Sequence, residues 1–296
     1  MTSITDAYGI TGTVPFEDLQ IEKDNLQFLD PRVVRLQSPH CRYSAYAHFL
    51  IESFFDEVVR CVLSPSPGMK SRGRQLLSSF EEPRETRLGY AKQGIDGHGA
   101  GSVIGGRIWA ELSTRLYPLV RVGILKQIEA LPIYIPDVAK DLTSDIVTRI
   151  CYEALCRFTQ DMVARYPQFT QRGDGVRVVS CQVWDPQILE WVEEEFHLPV
   201  WTGKPLVLIP KRWSNKHLLM SAQRYHGKAV LDFVQEKETR ITDRGELLAP
   251  TKKALVCNSA YKANKQNIVQ ITKQATNEGV NLYNNFCKWV DGKYAG

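Results

Sequence analysis

Apolar residues recur at helical spacing along most of this chain, and runs suited to strands are few and short. The first twenty or so residues, punctuated by Thr, Gly and Pro, predict an irregular lead-in. A helix opens after Ser38-Pro39, carries Phe49, Leu50, Phe54, Val58, Cys61 and Val62 on one face, and stops at Ser64-Pro65-Ser66-Pro67-Gly68. A glycine-rich loop, Gly94 to Gly101, leads into a helix from about Gly106 to Tyr117. Pro118 interrupts it, and a second helical stretch runs to about Ala130. Leu131-Pro-Ile-Tyr-Ile-Pro136 reads as a short strand. Ser144 or Asp145 caps the next helix, whose stripe is Ile146, Ile150, Leu155, Phe158 and Met162. Val-rich Gly175–Trp184 predicts a strand, Pro186 opens a short helix bearing Ile188, Leu189, Trp191 and Val192, and Leu206–Ile209 predicts a second strand. The remainder predicts helix, ending in a long segment from about Asn267 to Val290.

These elements describe an α+β protein, predominantly helical with a small mixed sheet. A boundary near Thr170-Gln-Arg-Gly-Asp-Gly175 would separate a helical body, residues 1–170, from an α/β region, residues 171–296, that ends in a basic helical tail. Hydrophobic residues at 43% and charged residues at 24% provide a core and exclude wholesale disorder. No apolar stretch reaches the roughly 18 residues needed to cross a bilayer. The first fifteen residues lack the basic start and apolar core of a secretory signal, so the expected location is the cytoplasm. Seven cysteines, scattered and without a CxxC, suit reduced buried thiols better than disulfides or zinc.

The charge is uneven. From Trp201 to Gly296 there are 16 Lys and Arg against 7 Asp and Glu, whereas the first 200 residues hold 21 against 26. The basic final third therefore suits a polyanion, with a solvated surface as the alternative.

Several groups could carry chemistry. Gly97, Gly99 and Gly101, ahead of Gly105 and Gly106, would let backbone N–H groups approach a phosphate at a helix N-terminus. No Gly-Lys-Ser/Thr closes the loop as in a P-loop. Asp137, Asp141 and Asp145 recur at intervals of four, so Asp141 and Asp145 could share a Mg²⁺ or Mn²⁺ ion, with helix capping as the alternative. Lys211 follows the Leu206–Ile209 run as a phosphate-stabilising lysine would. Ile209 stands where a restriction-type nuclease has its second acid, which leaves Glu82 or Glu85 to supply it through the fold. Arg42 and His48 have a spacing compatible with a metal-independent HEPN-type ribonuclease. Trp184, Trp191, Trp201 and Trp213 lie among Lys204, Lys211, Arg212 and Lys216. Trp191 reads as core, and Trp213 is the candidate for stacking on a base. Lys252 and Lys253 add phosphate contacts from the basic third. There is no HExxH or GxSxG, and no organic cofactor is expected.

Phe28-Leu-Asp-Pro31, Glu85-Thr-Arg-Leu-Gly-Tyr90 with the glycine cluster, Asp141-Leu-Thr-Ser-Asp145 and Leu206-Val-Leu-Ile-Pro-Lys211 together resemble a group of bacterial proteins carried on mobile elements and in anti-phage defence neighbourhoods. The resemblance spans about residues 28–213 and implies a defence role in a prokaryotic cytoplasm, with other defence subunits as partners. It brings no established reaction. The leading expectation is a nucleic-acid-directed defence protein acting as a metal-dependent nuclease or nuclease subunit. In it Asp141 and Asp145 hold the metal, Glu82 or Glu85 assists, and Lys211 steadies phosphate charge. The alternatives are a non-catalytic nucleic-acid-binding or scaffold subunit and the HEPN-like ribonuclease.

Overall fold

The computed structural model describes residues 2–89 and 100–295. In chain order it runs through α1 (Ile4–Tyr8), β1 (Phe28–Leu29), α2 (Pro31–Gln37), α3 (Arg42–Leu63), α4 (Pro67–Ser78) and α5 (Ala100–Ser113). Then come α6 (Tyr117–Arg121), α7 (Leu131–Tyr134), α8 (Lys140–Ile150), α9 (Tyr152–Arg165), α10 (Gln168–Gln171), β2 (Val176–Asp185), β3 (Glu190–Trp201), β4 (Lys204–Pro205) and β5 (Ser214–Asn215). The chain closes with α11 (Ala222–Tyr225), α12 (Leu231–Glu238), β6 (Arg240–Ile241), β7 (Leu247–Leu248), α13 (Lys252–Leu255), α14 (Lys265–Asn277) and α15 (Leu282–Ala295). The class is α+β and predominantly helical, as expected, and its sheets are small and antiparallel.

Two compact units divide the chain. The first comprises residues 1–110, 127–129 and 140–218, and the second residues 111–126, 130–139 and 219–296. The expected boundary at 170/171 falls inside the first unit, because α9 packs on both strands of the β2–β3 hairpin.

In the first unit α3 is the spine. Its 22 residues span about 33 Å and bury Leu50, Ile51, Phe54, Phe55, Val58, Cys61 and Val62 against α2, α4 and α9. The β2–β3 ladder runs from Val176↔Pro199 to Asp185↔Glu190. Near its turn Trp184 and Trp191 sit opposite each other, and both rings meet Phe54, at 5.0 and 5.3 Å. The helix expected after Pro186 is therefore the turn and first residues of this hairpin. Asp185 Oδ1 accepts the amides of Gln187 and Ile188 there, which closes the turn.

Two other expected strands differ. Leu131–Tyr134 is helical, with Pro132 in the first turn, where its missing N–H costs nothing. Leu206–Ile209 is buried but pairs with no strand; its amides find scattered partners instead. Those of Leu206, Val207 and Leu208 donate to Pro199 O, Glu85 O and Thr159 Oγ1, at 2.9, 3.0 and 2.9 Å. Helix α8 starts four residues before the expected Ser144 cap. Ser144 faces inward, and its Oγ accepts the Leu29 amide at 2.9 Å.

The second unit gathers α7, α11, α14 and α15 around aromatic rings. Tyr134 lies 5.7 Å from Tyr225, which in turn lies 5.3 Å from Phe286. The long terminal helix expected from the apolar stripe is two helices, α14 and α15, because Gly279 takes the left-handed conformation at φ 79°. Lys265 Nζ caps α7 by donating to the Ile135 and Val138 carbonyls, and burial pulls its pKa down to about 8.

Helices α4 and α5 come together only because Gly105 has no side chain: a Cβ there would stand 1.8 Å from the Leu77 carbonyl oxygen. Gly105→Ala is expected to cost about 2–3 kcal/mol in denaturant unfolding, since backbone must move. Gly106→Ala, with open space at its Cβ, should be neutral or gain about 0.5–1 kcal/mol from helix propensity.

Candidate nucleic-acid interface

The groove between α4 and α5 begins with the amphipathic character of α4. Gly73, Leu76 and Leu77 are buried, while Ser71, Arg74, Gln75 and Ser78 recur at helical spacing along one polar stripe. Val103 and Gly106 of α5 form the facing wall, and together these residues line a groove of about 610 Å³ without a single acidic side chain. Arg107 follows on α5 and Lys70 lies one turn before Arg74; both are exposed. Val103 belongs to the first turn of α5, so the positive end of the helix dipole borders the groove. Gly101 is in that same turn, whereas Gly97 and Gly99 lie outside the described residues.

Which cations of α4 remain available is decided by Glu57. This buried α3 carboxylate accepts from Arg72 Nε at 2.9 Å and from Arg60 Nε and Nη2 at 2.6 and 2.8 Å. Arg72 also bonds Glu190 and the Leu189 carbonyl, which turns it away from solvent. Among the described residues neither Lys70 nor Arg74 forms an ion pair, and both are exposed.

Asp141 and Asp145 stand one turn apart on α8, both half-buried. Glu85 lies at the opposite end of that helix, with Arg149 Nη2 3.8 Å from its Oε2. Asp141 and Arg149 are eight residues apart, roughly 12 Å along the axis. Arg149 is itself spent on backbone, donating to the Glu81, Gln182 and Glu82 carbonyls at 2.8, 3.2 and 3.3 Å. Glu82 is exposed and pairs with Arg84 at 3.5 Å. Lys211 is held on another segment, where its amide donates to Pro15 O at 2.9 Å and its side chain is exposed. Among the described residues no group of three or more His, Cys, Asp or Glu side chains is placed to hold a metal ion.

A family model described as a domain of unknown function, DUF8370, matches residues 10–221. The chain belongs to the DUF8370 family. No curated protein and no solved structure matches it. The DUF8370 match includes both walls of the groove, the α8 carboxylates and the β2–β3 hairpin.

Within the DUF8370 domain the other expected sites resolve differently. Arg42 and His48 point apart, as six residues along a helix require. Arg42 is exposed and bonds Asp161 and the Tyr43 hydroxyl. His48 faces α2, with Nε2 3.3 Å from Arg35 Nη1 and 3.5 Å from Glu52 Oε2; burial and the Arg35 charge hold it below its ordinary value. Arg35 in turn shares buried Glu129 with Arg32, at 3.0 and 2.8 Å. Nothing in the spacing of Arg32, Arg35 and Glu129 announces this network, because Glu129 lies 94 residues away from Arg35.

Trp213 is fully buried with Nε1 donating to Ser44 Oγ at 3.0 Å, so it cannot stack on a base. Trp184 is equally buried, Trp191 donates to the Leu76 carbonyl, and Trp201 packs on Tyr8. Lys204, Arg212 and Lys216 are exposed. The Arg212 amide is bound by Glu17 at 2.6 Å, and the Lys216 carbonyl accepts from Lys140. In the second unit Lys252 is tied to Asp232 and the Gly227 carbonyl, whereas Lys253 is exposed. Among the described residues no helix is long and apolar enough to cross a membrane.

Burial pushes the Glu57 carboxyl up, but its hydrogen bonds to Arg60 and Arg72 outweigh that and hold it below the ordinary value of 4.5. A depressed carboxyl stabilises the fold above its unfolded pKa and loses that contribution as pH falls through the folded one. Glu57→Gln should therefore cost roughly 2–3 kcal/mol at neutral pH. In paired urea titrations the gap to the native protein should close below about pH 4.5.

Proposed function

We propose that this DUF8370 protein binds nucleic acid through the phosphate backbone, without cleaving it, in the groove between α4 and α5. The observation that carries this reading is the acid-free polar stripe of α4, on which Arg74 and Lys70 keep charges that nothing described neutralises. A phosphate in the groove would meet the Arg74 guanidinium, the Ser71 and Ser78 hydroxyls, the Gln75 amide and the α5 N-terminal turn. Gly106 leaves room on the opposite wall for a backbone to approach. The lining holds no aromatic ring, so recognition rests on charge and is insensitive to sequence. Exposed Lys204, Arg212 and Lys216 add further cations. The length of helix between Asp141 and Arg149, the partner of Glu85, favours binding over the metal-dependent nuclease. The resemblance to defence proteins suggests the setting, a subunit that holds nucleic acid for a partner.

Fluorescence anisotropy with labelled single-stranded DNA, RNA and duplex DNA tests this. Arg74→Glu should weaken binding roughly tenfold and reduce the slope of log affinity against log salt by about one. Unchanged affinity and slope would remove the groove from the interface. Mg²⁺-dependent cleavage abolished by Asp145→Ala would instead reinstate the nuclease.

A further inference from the structure

We propose that Cys156 and Cys181 form a redox pair, a dithiol that hydrogen peroxide oxidises to an internal disulfide joining α9 to the β2–β3 hairpin. Helix α9 packs on both strands of that hairpin. The two thiols meet at its contact with β2, where Cys156 is hydrogen-bonded to Cys181. Both are free thiols in this structure, Cys156 wholly buried and Cys181 5% exposed. Sulfurs already in hydrogen-bond contact need only close to roughly 2 Å to be joined, a shift within reach of side-chain rotation. Neither sulfur has a role in the groove between α4 and α5.

The surroundings set this pair apart from two other buried thiols. The bond from Cys156 holds Cys181 below its ordinary value; burial and the Glu85 charge oppose this, and the Arg149 guanidinium assists it. Cys61 instead donates to the Glu57 carboxylate at 3.7 Å, and burial with that charge pushes it up to about 11. Cys151 donates to the Thr148 carbonyl at 3.8 Å, and burial pushes it up. The thiolate is the reactive form, so Cys181, which also has some exposure, attacks the peroxide. Its sulfur takes one oxygen as the O–O bond breaks, giving a sulfenic acid and a hydroxide that becomes water with the proton Cys181 lost. Burial pushes Cys156 up, so it keeps its proton until the second step. There its sulfur attacks the Cys181 sulfur, the S–O bond breaks, and water leaves with that proton. The two thiols give up two electrons and two protons, and one peroxide becomes two waters. A thiol reductant reverses the link by exchange. Both cysteines lie within residues 10–221, and the inference stands independently of the nucleic-acid reading.

Hydrogen peroxide treatment of the folded Cys257→Ser chain, which lacks the exposed thiol, tests this. After denaturation and alkylation, mass spectrometry should find two fewer alkylated cysteines and a loss of two hydrogen atoms, with the crosslink mapped to Cys156 and Cys181. Dithiothreitol should restore both thiols. Cys156→Ala should stop at a Cys181 sulfenic acid that dimedone traps. The first reading needs no substitution in the core, so it stands whether or not Cys156→Ala folds. Peroxide that leaves both thiols alkylatable, a crosslink between other cysteines, or a Cys156–Cys181 link that forms only in urea would overturn the inference.

Discussion

A buried stretch of backbone that joins no sheet sets the terms for the first unit. Leu206–Ile209 are at most 1% exposed, yet every buried amide and carbonyl must still be satisfied. The segment does this by drawing partners from separate parts of the chain. Pro199, Glu85 and Thr159 accept its amides, and Ile209 O receives the Glu17 amide. Lys211, just beyond, returns its own amide to Pro15. Each bond ties a different element to the same strand of chain, so the packing of α9, the β2–β3 hairpin and the N-terminal lead-in is fixed together.

The short segments Phe28–Pro31, Glu85–Gly89, Asp141–Asp145 and Leu206–Lys211 are tied in pairs by backbone bonds of this kind. Glu85 O meets Val207, the Leu29 amide meets Ser144, and the Asp30 amide meets Trp213 O at 2.8 Å. Each makes a bond that holds the first unit together. Asp30 caps α2, Ser144 bonds an edge of β1, and Glu85 anchors a buried segment. Asp141 and Asp145 lie on α8 with Glu85 near its far end, and Arg149 staples the loop of Glu81 and Glu82 to the hairpin at Gln182. What this arrangement leaves at the surface is charge on α4, and Glu57 determines which part of it is usable by withdrawing Arg72.

Periodicity made the helical class, the α3 stripe and the β2 strand legible, because those elements each bury one continuous face. It failed where burial was not tied to a period. Leu131–Tyr134 and Leu206–Ile209 are both apolar and Pro-flanked. One closes into a helical turn, and the other is extended without a ladder; local composition does not distinguish them. Pro186 signalled a helix start, but the Trp184–Trp191 pairing across a turn is a long-range fact. The site was legible in part. Lys70, Arg72 and Arg74 stand out as a basic stretch, but their inequality depends on Glu57, 15 residues from Arg72. Trp213 follows Lys211-Arg212 as a base-stacking residue would, but its indole is buried and serves the core.

Backbone hydrogen exchange, compared with and without saturating single-stranded DNA, tests most directly whether the α4–α5 groove is where this protein meets nucleic acid. The account requires slowed exchange in residues 67–78 and 100–113. Binding that leaves both helices unprotected while slowing exchange elsewhere would contradict it.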